Sequence, residues 1–186
     1  MLFLSHTSCT GKDKELGEAI LERDSLPGMK TLGVNTLISD SGIIKYRLIA
    51  EEWDIFDRKK PPYWAFEKGV YLEQFDSLMQ IEASIKADTA YYYEKEKLWE
   101  LRSNVFIQNR KGEKFDTQQL FWNQSTQKVY SDKYIRIEQT ENIITGYGFE
   151  SNQQLTQYVI RNSGGIFPID ETPQDTLAAD TIGTSK

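Results

Sequence analysis

Glu51, Glu52 and Asp54 crowd carboxylates onto one short stretch, and a carboxylate pair is what glycoside hydrolysis needs, one group on each side of the sugar bond. Adjacency in sequence is all that these residues offer. The reading they support is a solvated strand end. Other chemistry-bearing side chains are confined to the start of the chain, where the single His is His6 and the single Cys is Cys9. The body therefore has neither thiol nor imidazole. Cys–His and Ser–His–Asp nucleophile systems, and the usual His/Cys zinc sites, lack their essential groups there. The expectation is a protein that is not an enzyme and uses no metal or other cofactor.

Two readings stay open for "MLFLSHTSCTGKDKE", the stretch around Cys9. A short apolar run, small or polar residues, then a Cys before a charged segment is how a lipoprotein signal peptide ends, and Cys9 would then be a lipid anchor whose acyl chains supply membrane affinity. Against this, a basic n-region is missing, and the apolar run falls short of the roughly 7–15 residues a signal peptide uses. A start placed downstream of the true one would account for both. The alternative is a frayed tail with an incidental Cys. Leu16, Ala19, Ile20 and Arg23 then fall at helical spacing, which predicts a short helix or tether ending at Ser25-Leu26-Pro27-Gly28.

What must position any site is a body of different texture. The chain has 186 residues, 39% of them hydrophobic and 12% aromatic, enough to bury one substantial core. No apolar run approaches the roughly 18 residues of a membrane helix. A net charge of -6 with both signs interspersed argues against nucleic acid as a partner. Residues 30–168 are rich in aromatic and β-branched types punctuated by turn pairs at strand-sized intervals. This predicts an all-β domain over 30–168, an anchor or tether over 1–29, and a flexible polar tail over 169–186.

Alternation places Ile44, Tyr46, Leu48 and Ala50 on one strand face, with Lys45 and Arg47 on the other. Val105 and Ile107 share a face, as do Ile135 and Ile137. The second pair lies 30 positions after the first, and the same shift carries Ala90 onto Leu120, Tyr91 onto Phe121, Tyr92 onto Trp122 and Trp99 onto Val129. A third, looser copy begins at Gly146, with Phe149 standing for Trp122. Such units cannot bury an apolar face alone and must stack as antiparallel strand pairs. The end strands of an unclosed stack are docking edges.

Ser39 to Gly42, the strand carrying Tyr46, Leu48 and Ala50, Trp64-x-Phe66 with Gly69-Val70, the tandem units around Tyr92 and Trp122, and "GYGF" at Gly146 to Phe149 occur in an order that resembles the LptC family and, more broadly, OstA-like β-jellyroll proteins. The resemblance implies a twisted, open β-jellyroll that carries lipopolysaccharide. It would take the lipid from the inner-membrane ABC transporter, through LptF and LptG, and pass it to LptA. The groove residues it implies are Leu48, Trp64, Phe66, Tyr92, Val105, Ile107, Trp122, Ile135, Ile137 and Phe149, holding the acyl chains of lipid A. The implied location is the periplasmic face of the inner membrane, anchored through a lipidated Cys9 or an N-terminal segment missing from this chain. A carbohydrate-binding or structural β module of the envelope is the alternative. Outward Trp and Tyr platforms would mark the first, a filled interior the second.

Overall fold

Side chains that alternate between apolar and polar make each segment a strand with one face to bury. The computed structural model describes residues 25–166. In chain order the strands are β1 (Met29–Asp40), β2 (Ile43–Phe56), β3 (Tyr63–Phe66), β4 (Val70–Phe75), β5 (Ile81–Ala87), β6 (Thr89–Tyr93), β7 (Leu98–Asn109), β8 (Lys114–Asn123), β9 (Lys128–Glu138), β10 (Ile143–Asn152) and β11 (Tyr158–Ile166). There is no helix among the described residues. The expected N-terminal helix or tether, His6, Cys9 and the polar tail lie outside them.

Every pairing is antiparallel, and the long strands change partner half-way. β2 pairs with β4 through Tyr46–Ala50 and with β3 through Asp54–Phe56. β7 pairs with β6 through Leu98–Arg102 and with β5 through Phe106–Asn109. Thus β3 and β4 are two arms of one bent strand, as are β5 and β6, and the sheet folds over along the bends. The fold line is built by bulges, which bend and twist a strand locally. Register shifts fall at Arg102/Val105 in β7, Thr117/Phe121 in β8 and Tyr147/Phe149 in β10. Ser103, Asn104 and Gly148 there have φ of 61°, 50° and 76°. The result is the all-β, open jellyroll of stacked antiparallel strand pairs that the sequence predicts. A first layer contains β4 and β5, a second contains β3 and β6, and the longer strands run through both.

Apolar faces meet between the layers. Leu48, Phe66, Leu101, Val105, Ile107, Phe115, Leu120, Ile135, Ile137 and Phe149 are each at most 1% exposed. The repeat is visible in the turns as well. Lys97 and Gln127 close successive hairpins in the left-handed conformation, at φ 49° and 56°. These turns stack, because Gln124 N donates to Lys97 O and Gln153 N donates to Gln127 O. The third copy departs from expectation. Trp122 neighbours Val129, and Val129 neighbours Ser151, so Ser151 and not Phe149 stands in the position of Trp122. The β10 bulge at Gly148 displaces the register, which sequence spacing alone does not show.

Candidate functional site

One cross-strand row lies on the inner face of the second layer. It runs Trp64, Tyr92, Trp99, Trp122, Val129, Ser151 and Tyr158, each opposite the next in register. Its rings pack sideways: Trp64 and Tyr92 centroids are 4.8 Å apart, as are those of Tyr92 and Trp99. From the first layer, Tyr46 reaches across and meets Trp122 edge-on at 5.3 Å. Such an aromatic pair contributes about 0.5–1.5 kcal/mol beyond its buried area.

Ser151 is the small member of the row, and the following turn supplies what it lacks. Leu155 is 1% exposed although it sits in a turn, at φ 56°. A left-handed Leu costs backbone energy that the burial of its side chain offsets. Its carbonyl accepts a hydrogen bond of 3.0 Å from Asn109 Nδ2 at the end of β7, so the turn is clasped to the opposite layer. Asn109 is itself fixed, because its Oδ1 accepts from the Lys111 and Glu113 amides. A second clasp follows at Gln139 Nε2, which donates to Glu113 Oε1 at 2.7 Å and to the Tyr158 hydroxyl at 2.8 Å.

Beside these clasps the layers stand apart. A cleft of about 620 Å³ opens between Ile38, Lys45, Tyr46, Gln74 and Glu82 on one side and Tyr92, Gln124, Gln127 and Gln153 on the other. Burial pushes the Tyr46 and Tyr92 phenols above their ordinary pKa, which keeps both neutral. Tyr92 donates to Gln124 Oε1 at 3.2 Å. Under the cleft the interior closes. Only about 10 Å³ remains among residues including Tyr46, Leu72, Ile85, Trp122, Val129 and Leu155. Trp122 Nε1 is buried there without a hydrogen-bond partner among the described residues.

The ten residues implied by the resemblance fall into two sets. Leu48, Phe66, Val105, Ile107, Ile135, Ile137 and Phe149 pack solidly in the core. Trp64, Tyr92 and Trp122 belong to the row near the mouth, and of all ten only Tyr92 lines the open cleft. In this state the cleft is largely polar and the apolar surfaces beneath it close on each other, as inward Phe, Ile and Leu do whenever nothing separates them. Sequence reasoning missed Asn109 and Ser151, and it put Leu155 after the turn of the third copy, whereas Leu155 lies within that turn. It also passed over the amides at Gln124, Gln127 and Gln153, whose recurrence at stacked turns was the available signal.

Glu51, Glu52 and Asp54 form no catalytic pair. They lie within β2 and not at its end, where the strand bends. Glu51 is exposed, while Glu52 is buried and accepts from Lys30 Nζ and Lys68 Nζ at 2.6 Å each. Those ammonium groups hold the Glu52 carboxyl down at about 2. Lys30 Nζ also lies 3.3 Å from Asp54. Among the described residues no group of three or more His, Cys, Asp or Glu side chains is placed to hold a metal ion. Nor is there a helix long and apolar enough to cross a membrane. The outer face of the second layer carries a further aromatic cluster: Tyr63 contacts Phe56, Tyr91 and Tyr93 at 4.9–6.2 Å, and Phe121 stacks on Tyr130.

The sequence model of the family described as lipopolysaccharide-assembly, LptC-related, fits residues 32–163. No curated protein sequence matches the chain.

Proposed function

Because this chain belongs to the LptC-related family of lipopolysaccharide assembly, and so takes part in lipopolysaccharide transport, we propose that it is a carrier that holds the acyl chains of lipid A between its two layers. The observation behind this reading is the mouth. At the cleft itself the layers meet through Tyr46 on Trp122 and the Leu155 turn on Asn109, with the Gln139 and Phe115 contacts to Tyr158 beyond it, over an interior of apolar side chains. Lipid enters by parting the layers. Losing one aromatic pair and exposing one Leu costs about 2–4.5 kcal/mol. At about 0.8 kcal/mol per buried methylene, roughly three to six methylenes offset that, and an acyl chain supplies more. Burial of methylenes needs no directional groups, which suits transport without chemistry.

The ends of the stack suit a relay. β1 pairs only with β2, and β11 only with β10, so each leaves one edge unpaired among the described residues. In the proposed path the β1 edge receives lipopolysaccharide from LptF and LptG, and the β11 edge pairs with LptA by strand addition. The domain then stands at the periplasmic face of the inner membrane, held by the segment before β1, with Cys9 as a lipid attachment point. A glycan-binding module is the second reading, favoured by the outward rings of Phe56, Tyr63, Tyr91 and Tyr93.

Ultraviolet cross-linking separates the two. A photoreactive residue in place of Tyr46 or Trp122 is expected to capture lipopolysaccharide, and one in place of the outward Arg136 is not. Capture at Tyr91 and Tyr93 with none at Trp122 would reject the carrier in favour of the glycan module.

A further inference from the structure

If acyl chains lie between the layers, their hydrophilic end must sit in the mouth, and the mouth has two unlike lips. The first-layer lip is apolar at its tip, with Ile43, Leu78, Met79 and Ile81 between 47% and 75% exposed. The facing lip consists of the stacked turns and carries uncharged amides: Gln124, Gln127, Gln153 and Gln154 all line the cleft. Gln124 is engaged by Tyr92, whereas the side-chain amides of Gln127, Gln153 and Gln154 have no hydrogen-bond partner among the described residues. The backbones of Gln127 and Gln153 are nonetheless tied together, through Gln153 N donating to Gln127 O. Each free amide offers two donors and a carbonyl acceptor. Of the charged groups in the cleft, Lys45 and Lys97 are set against Asp40, Asp76 and Glu82, which gives no excess of positive charge for an anion.

We propose that Gln127, Gln153 and Gln154 form a saccharide subsite that binds the sugar hydroxyls of the carried glycolipid while its chains pass the apolar lip. This rests on the carrier reading. A row of neutral groups that both donate and accept matches a polyhydroxyl ligand, whose every OH does the same, better than it matches a phosphate or an acyl chain. The three amides come from adjacent turns, so one sugar unit can meet more than one of them. The subsite would orient the headgroup outward and set the direction in which the chains enter.

The test uses three probes on the intact protein: lipopolysaccharide, its fully deacylated oligosaccharide, and laurate. The oligosaccharide is expected to shift the side-chain amide resonances of Gln127, Gln153 and Gln154. The combined variant Gln127→Ala, Gln153→Ala, Gln154→Ala should bind both the oligosaccharide and lipopolysaccharide about tenfold more weakly, the equivalent of roughly one net hydrogen bond. Laurate binding should stay unchanged, and since these amides hold nothing in the fold, the backbone amide spectrum should too. Lipopolysaccharide binding that is the same in wild type and variant, with no shift from the oligosaccharide, would overturn the subsite and leave the carrier standing. Wild-type protein that binds neither lipopolysaccharide nor laurate would overturn the carrier reading and this proposal with it.

Discussion

Phe115→Ala is expected to destabilise the domain by about 3–5 kcal/mol, the usual range for truncating a buried Phe. Phe115 is fully buried, and in β8 it lies opposite Ile107 and Ile137. Its ring meets Phe149 at 5.8 Å and Tyr158 edge-on at 5.6 Å. Those two follow the bend in β10 and begin β11, so the contacts join one layer to the other where the mouth is clasped shut. Neighbours on both sides are held by strand pairing and cannot collapse into the space, which places the cost in the upper part of the range. Domains of this size are stable by only about 5–15 kcal/mol, so roughly a quarter or more of the total is at stake. Chemical denaturation reads it directly. A loss below about 1 kcal/mol would mean that this end of the interior is loosely filled, against the packing described.

The second large effect is expected from Gly146→Val, and it is local. A Cβ on Gly146 would lie 2.4 Å from the backbone oxygen of Asn162 and 2.5 Å from Ile160 Cγ2. No side-chain rotation relieves a clash with backbone, so β11 must leave β10. Amide hydrogen-exchange protection across Tyr158–Ile166 should fall toward that of an open chain, while β2, β4 and β5 keep theirs. In the proposed relay the same variant loses the strand to which the next jellyroll pairs. Protection of β11 equal to wild type would show that this edge is not held as described.

These two positions show what the sequence makes legible. The 30-residue shift survives in space because successive hairpins have equal arms: Val105 and Ile107, like Ile135 and Ile137, are buried. Alternation in β2 is right as far as Ala50. It then fails, because the strand bends and Trp53 turns inward to pack on Trp64 and Phe66. "GYGF" acquires separate physical reasons: Gly146 for close approach of β11, Gly148 for a bend at φ 76°, Phe149 for the core. The bends themselves left no trace in composition, since Ser103 and Asn104 adopt left-handed backbone with no glycine to announce it. Leu155 was hidden for another reason. A turn is read as polar and exposed, and nothing local tells that Ser151 leaves room for a side chain to fold back. Tyr92 falls on the apolar side as alternation predicts, and the same alternation turns Tyr91 and Tyr93 outward to Tyr63.

If the layers part to admit lipid, the width of the mouth changes with loading. Ser77 and Ser125 lie on opposite lips of the cleft, and spin labels placed at these two positions report its width. Adding lipopolysaccharide should move the distance distribution to longer values, with the lipid-free distribution returning when the lipid is removed. An unchanged distribution in a sample shown to have bound lipopolysaccharide would contradict the account, since the lipid would then be held without opening the mouth.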